Sequence, residues 1–437
     1  MAERPALVGG TPLVPRGLAR RWPLLNVRDR EAVSRVLERG VLSGAGAPEI
    51  QALEREFAAY VGVPFCLATN SGTAALHLAL AAAGVGPGDE VIIPALSFIA
   101  TAQAVLHQNA IPVFVDIDPR TFNIDPGRIE EQITARTKAI APVHLHGLPA
   151  DMAEILTLAS RYRLTVIEDA AQAHGAEYRG RKAGGWGDLG IFSLNATKNL
   201  PAGEGGLLVT RSQTYRDRAR LIRLDGLDAD AADWNPESPL DSDHDPLAQT
   251  VGWMYLPTEL SAALARSQLE RLDQVNETGQ ANARFLSERL AAIPGLLPPL
   301  TPPDRTHVFH KYRVRLQPDI LGLDLPPAVF RDLVLAALRA EGVEVVLWQT
   351  APLPAHPLFQ ERRGYGNACP WRCVGSQRFY APDDYTETRR LLESSLIVGS
   401  QSFPLFCQPF ELMGHYGDAF EKVFAKIHDL VDSEAAR

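Results

Sequence analysis

The 437-residue chain is 46% hydrophobic and 22% charged, with a formal net charge of −9 at neutral pH. That is enough apolar material for a large core and for more than one structural unit. An acidic balance, with no basic stripe interleaved with aromatic residues, argues against nucleic acid as a partner.

Arg16, Arg20 and Arg21 form only a small basic cluster, read as a solvated face or a partner contact. The four cysteines, Cys66, Cys369, Cys373 and Cys407, are sparse for this length. They read as reduced thiols of a cytoplasmic protein. The opening residues carry no apolar core long enough for a signal peptide. No apolar run is long enough for a membrane span, and the small-residue stretch at 74–84, interrupted by His77, is too short.

From about residue 65 to 210, short apolar runs alternate with helix-like segments. The runs at 91–94, 112–115, 139–143, 165–167 and 189–192 lack polar alternation, which predicts strands covered on both faces. The segments at 74–83 and 150–162 read as helices. Strand–helix alternation of this kind predicts an α/β domain with a mostly parallel sheet.

A charged helix is expected at 214–223, and an exposed acidic insertion at 227–250. The stretch 258–290 reads as a long helix or helix pair, with Leu260, Leu264, Leu269 and Leu272 on one side. A Pro-rich linker at 297–304 leads to an alternating strand at 312–316, a helix at 326–341, a strand at 343–347 and a terminal helix at 416–431. The chain is therefore divided into a large domain, 1–295 with its N-terminal segment, and a smaller C-terminal α/β domain, 296–437. No internal repeat is present.

Four local features carry chemistry. Asn70, Ser71, Gly72 and Thr73 stand immediately before the Ala-rich helix. A hydroxyl there caps the helix, Gly72 allows close backbone approach, and a helix start attracts phosphate. Asp169 closes the run at 165–167, where ligands of open parallel sheets bind, and Gln172 follows three positions on. Lys198 lies past the run at 189–192, before a Gly-rich turn at 203–206, with Ser193 and Asn195 beside it. A lysine in a partly dry pocket keeps a neutral amine that can form a Schiff base and shuttle a proton. Phe98 follows the strand at 91–94, placed to stack on a flat ring. Read one at a time, these are an N-cap, a capping Asp, a surface lysine and a core Phe. Together they fit pyridoxal phosphate (PLP), whose ring must be held protonated by a carboxylate.

In order and spacing these stretches resemble the DegT/StrS type of sugar aminotransferases, of the aspartate-aminotransferase fold group. The match runs through 69–80, 94–105, 112–125, 167–188 and 192–206, then through 258–273 and more weakly to the end. The resemblance implies a fold-type-I PLP enzyme with a large sheet domain and a smaller second domain. It implies that Lys198 carries the cofactor, Asp169 pairs with the pyridine nitrogen, and Gln172 contacts the phenolic oxygen. Phe98 would stack on the ring with Ala171 opposite, and Ser71, Gly72, Thr73 and Ser193 would hold the phosphate. It further implies a homodimer with shared active sites and glutamate or glutamine as donor. The acceptor would be a nucleotide-linked keto-sugar or a keto-cyclitol, in amino-sugar or antibiotic biosynthesis.

The sequence departs from that pattern in places. Met254 and Leu256 stand where many members have Asn and Arg, Leu224-Asp225-Gly226 lacks the usual His, and Asn195 occupies another His position. The opening at residues 7–12 resembles members acting on cyclitols and antibiotic sugars. Lys311 and Arg313 are candidates for binding an anionic substrate, although a solvated strand edge is the simpler reading. His144 and His146 lack a third metal ligand nearby in sequence, and no metal is expected. Cys369 and Cys373 read as two loop thiols, and the segment 348–371 as a wall near the site mouth. A non-transaminating PLP enzyme, eliminating or dehydrating its substrate, is the alternative activity; a non-catalytic scaffold is the third reading.

Overall fold

The computed structural model describes residues 4–227 and 247–432. Most of the predicted acidic insertion therefore lies outside the described residues.

Strands β1 (Phe65–Thr69), β2 (Glu90–Pro94), β3 (Ile111–Val115), β4 (Thr137–Ile140) and β5 (Thr165–Asp169) precede a small hairpin of β6 (Glu177–Tyr178) and β7 (Arg181–Lys182). Strands β8 (Leu189–Ser193) and β9 (Gly206–Thr210) follow. Seven of them form one sheet in the order β1-β9-β8-β5-β4-β2-β3. Neighbours from β3 across to β8 run parallel, and β9 is antiparallel to both β8 and β1. Every residue of β2, β3, β8 and β9 is buried, as continuous apolar runs require when helices cover both faces.

The covering helices are α1 (Val27–Arg39), α2 (Pro48–Val61), α3 (Gly72–Ala82), α4 (Ala100–His107), α5 (Met152–Tyr162) and α6 (Gln213–Ile222). The predicted long helix at 258–290 is a pair, α7 (Glu259–Leu269) and α8 (Leu272–Ala291), parted at Glu270 and Arg271. Strand β1 and helices α1, α2 and α4 were not anticipated.

A second sheet holds β10 (Leu296–Leu297), β11 (Tyr312–Leu316), β12 (Val345–Val346) and β13 (Ser395–Val398) in the order β10-β11-β13-β12. Helices α9 (Pro327–Ala340), α10 (Pro357–Gln360), α11 (Thr386–Glu393), α12 (Phe410–Phe424) and α13 (Ile427–Val431) complete the chain. The predicted terminal helix is thus broken between α12 and α13. No helix among the described residues is long and apolar enough to cross a membrane.

Two stretches pack far from their sequence neighbours. Leu7, Val8 and Val14 lie on the core beneath the second sheet. There the buried Glu341 accepts the Ala6 N–H at 2.7 Å and pairs with Lys422 at 3.2 Å. Conversely Leu353, Phe359, Trp371 and Tyr380 join the core of the seven-stranded sheet. Trp371 is fully buried and donates its indole N–H to the Tyr380 hydroxyl at 3.0 Å, which donates in turn to the Pro112 carbonyl at 3.0 Å. Trp371→Ala is expected to cost about 3–5 kcal/mol through the cavity it leaves, read as a lowered urea midpoint.

The reading of four reduced thiols is corrected for one pair. A tight turn brings the Cα atoms of Cys369 and Cys373 to 5.2 Å, within disulfide range, and the two are joined. Cys66 and Cys407 are free and buried.

Candidate active site

The carboxyl ends of β2, β5 and β8 and the start of α3 open onto one cavity of about 490 Å³. Ser71 is extended (φ −162°, ψ 160°) and caps α3, its Oγ accepting the Ala74 N–H at 3.0 Å. Gly72 and Thr73, whose N–H groups precede the helix's own ladder, line the same cavity as Ser193 of β8. Gly72 has no room for a side chain: a Cβ there would lie 2.7 Å from the Ser193 Cβ. Gly72→Ala should therefore push these two walls apart. Its expected effects are about 1–3 kcal/mol of lost stability and weaker retention of an anion at the helix start, measurable by urea unfolding and equilibrium dialysis.

Asp169, the last residue of β5, is buried. Its Oδ2 accepts the Thr101 hydroxyl at 2.9 Å, and its Oδ1 accepts the Ala171 N–H at 3.2 Å. Thr101 is held in turn by Ser97 at 2.8 Å. Burial pushes the Asp169 carboxyl above the usual range, while Thr101, the Ala171 N–H and the Lys198 charge pull the other way. A cationic ring N–H in the cavity would add a charged donor to the two neutral ones this carboxylate already has.

Lys198 sits in a turn pinned on several sides. Leu194 N–H donates to the Gly205 carbonyl and Ala196 N–H to the Gly203 carbonyl, each at 2.8 Å. The Trp22 indole donates to the Lys198 carbonyl at 3.0 Å, tying down the turn from 176 positions away. The amine lines the cavity, and burial lowers its pKa to about 8 against an opposing pull from Asp169. Asp169 and Lys198 line the same cavity, so both side chains belong to one site.

The remaining candidates surround this pair. Gln172 accepts the His146 N–H at 2.8 Å through Oε1, which leaves its Nε2 to donate into the cavity. Phe98 and Ala171 line the walls, and Phe98 is 57% exposed, unusual for so large a ring. Asn195 lines the cavity too, but its amide is committed: Oδ1 accepts from the Thr197 N–H and hydroxyl, and Nδ2 donates to Glu204 at 2.7 Å.

The second sheet closes the site with His310, Lys311 and Trp348. Here the reading of Lys311 and Arg313 as a solvated edge is corrected: they are 6% and 2% exposed. Strand β11 is interior, paired with β10 and β13, and its polar face rests on the large sheet's loops. Arg313 donates to the His146 Nε2 at 3.0 Å, the Ser395 hydroxyl at 2.7 Å and the Trp348 carbonyl at 2.9 Å. His144 is a framework residue, accepting the Ala150 N–H and donating to the buried Glu168 at 2.8 Å. Glu168 also takes the N–H groups of Gly184, Trp186 and Gly187. Of the departing positions, Met254 is 53% exposed, and its neighbour Tyr255 accepts the Asn70 N–H at 2.8 Å, beside the start of α3. Trp348, at the start of the segment read as a wall near the site mouth, does line the cavity, whereas the roles of Thr101 and Ser97 escaped the sequence reading; a hydroxyl in the helix after Phe98 was the available signal for Thr101.

The residues fit PLP: a close-packed helix start for a phosphate, a buried carboxylate for a ring nitrogen, and a lysine with a pKa lowered by burial, all lining one cavity. A model described as the DegT/DnrJ/EryC1/StrS aminotransferase family matches residues 23–379. The chain is 40% identical over 323 residues to GDP-perosamine synthase of Caulobacter vibrioides, covering 74% of this chain and 81% of that protein. It is 38% identical over 351 residues to the L-glutamine:2-deoxy-scyllo-inosose aminotransferase of Micromonospora echinospora, covering 77% and 81%. It is similar in structure to DesV of S. venezuelae, solved in complex with a ketimine intermediate, with a TM-score of 0.75, 30% identity, and coverage of 93% of this chain and 99% of that one. The chain belongs to the DegT/DnrJ/EryC1/StrS aminotransferase family, and it is a PLP-dependent aminotransferase.

Proposed function

We propose that this enzyme takes an amino group from glutamate or glutamine and delivers it to a keto group of a nucleotide-linked sugar or a cyclitol, in amino-sugar or antibiotic biosynthesis. The observation that carries this reading is the pairing of a lysine of pKa about 8 with a buried aspartate in one cavity. The amine-receiving and amine-releasing relatives named above support the substrate class.

Bound PLP supplies the aldehyde that receives the amine and the ring that absorbs the electron pair left on carbon. Around it, Lys198 would hold the cofactor through its neutral amine and, once released, carry a proton on its Nζ. Asp169 would pair with the ring nitrogen, its carboxylate held in orientation by Thr101. Gln172 has its Nε2 left to donate to the phenolic oxygen. Ser71, Gly72, Thr73 and Ser193 would hold the phosphate, Phe98 and Ala171 would flank the ring, and Asn195 shapes the turn that presents Lys198.

A homodimer with shared sites would cover exposed apolar residues such as Phe98, which lines the cavity, and Val251 and Met254. The cytoplasm is the proposed compartment. The division at 295/296 is proposed as the boundary between the two sheets, each of which has its own core, although segments 7–14, 283–290 and 353–385 pack across it.

The test is spectral. With PLP bound, glutamate or glutamine should shift the visible cofactor band to the near ultraviolet, and a keto-cyclitol or keto-sugar from a panel should restore it. A band unmoved by every amino donor would end the transaminase reading.

A further inference from the structure

We propose that Lys311 grips the carboxylate of the amino donor inside the cavity it shares with Lys198; this rests on the transaminase reading above. Lys311 immediately precedes β11, and its backbone N–H is held by the His146 carbonyl at 3.3 Å. The residue is 6% exposed and lines the cavity. Among the described residues its ammonium has no hydrogen bond and no ion pair.

The surroundings leave that charge uncompensated. Burial first, then Lys198 and Arg313, lower the Lys311 pKa to about 8, and no carboxylate acts in the other direction. Arg313 is itself buried on three neutral acceptors, His146, Ser395 and Trp348. The cavity's acids are committed elsewhere: Asp169 to Thr101 and the Ala171 N–H, Glu204 to Asn195. The buried histidines His146, His174, His307 and His310 are all pushed towards neutrality by burial. Isolated buried cations are costly, so a buried ammonium that lines the cavity without a counter-ion, backed by the buried Arg313 behind it, is arranged for an anion that arrives with substrate.

The site's chemistry selects which anion. Every amino-acid donor carries a carboxylate on the same carbon as its amine. That carbon must sit where Lys198 removes a proton, so the carboxylate comes within two bonds of the reacting atom. Lys311 and Lys198 line the same cavity, so a carboxylate beside the reacting carbon is presented to the Lys311 wall.

The test uses the PLP-loaded full chain and glutarate, a dicarboxylate with no amine to transfer, titrated against the cofactor band. Lys311→Met is expected to raise the glutarate Kd about tenfold or more, as loss of a charged hydrogen bond does. Lys311→Arg should stay within about threefold of the parent, since it keeps the cation. The KM for glutamate should rise with glutarate's Kd, while the acceptor's KM holds. The Met variant should retain cofactor and melt no lower than the parent, because it removes an unpaired buried charge. A glutarate Kd unchanged in Lys311→Met overturns the proposal. So does a rise confined to the acceptor's KM, which would assign the lysine to the acceptor's phosphates. A parent enzyme whose band answers no amino donor defeats the transaminase reading itself, and this proposal with it.

Discussion

Lys198→Ala is expected to lower transamination by about 10⁴-fold, because one change removes both the covalent anchor and the proton carrier. The protein should remain folded, since the turn around residue 198 is held by backbone bonds and by the Trp22 indole rather than by the amine. An ordinary lysine, with a pKa near ~10.4, is less than ~1% neutral at pH 8. Lowered to about 8, Lys198 is about half neutral there. The rate at which cofactor-free protein captures PLP should accordingly climb as pH rises towards and through 8, and level off above it. Stopped-flow absorbance at a series of pH values measures this, and a profile still rising steeply beyond pH 10 would mean an amine in open solvent.

Asp169→Asn should be the next most damaging change, at about 10²–10³-fold in kcat, the magnitude of losing one preorganised electrostatic contact. Asparagine keeps the shape and can still accept the Thr101 hydroxyl, so the loss isolates the charge. The sign of a second effect is fixed. Asp169 holds the Lys198 pKa up, so its neutralisation should let that value fall below about 8. The capture profile of Asp169→Asn should therefore shift to lower pH. Thr101→Val, which removes one donor from Asp169, should cost only about tenfold. An Asp169→Asn profile superimposable on the parent's would place the two residues in separate environments.

Much of this was legible in the sequence because the signals are local. Unbroken apolar runs located β2, β3, β5 and β8, and the residues at their carboxyl ends, Asp169 and Lys198, line a single cavity. Strand β1 was missed because a five-residue segment such as 65–69, with Cys, Ala and Thr, carries too little hydrophobic pattern to separate from a loop; β9, with Leu207, Leu208 and Val209, is as apolar and buried as the runs that were located and was passed over behind the Gly-rich turn at 203–206. The break at Glu270 and Arg271 has no Gly or Pro to announce it. Lys311 and Arg313 were misjudged for a different reason. Alternation assigns charged residues of a strand to solvent, but the polar face of β11 meets His146, a residue 167 positions earlier. The Thr101–Asp169 bond spans 68 positions and is likewise invisible to a local pattern. The disulfide required the turn at 369–373, which composition and presumed compartment argued against.

The most direct test is to load the chain with PLP, reduce it with borohydride to make any lysine–cofactor link permanent, digest it, and weigh the peptides. The account predicts one cofactor mass per chain, on the peptide containing Lys198, and none on the peptide containing Lys311. A cofactor attached to another lysine, or retained by none, would contradict it.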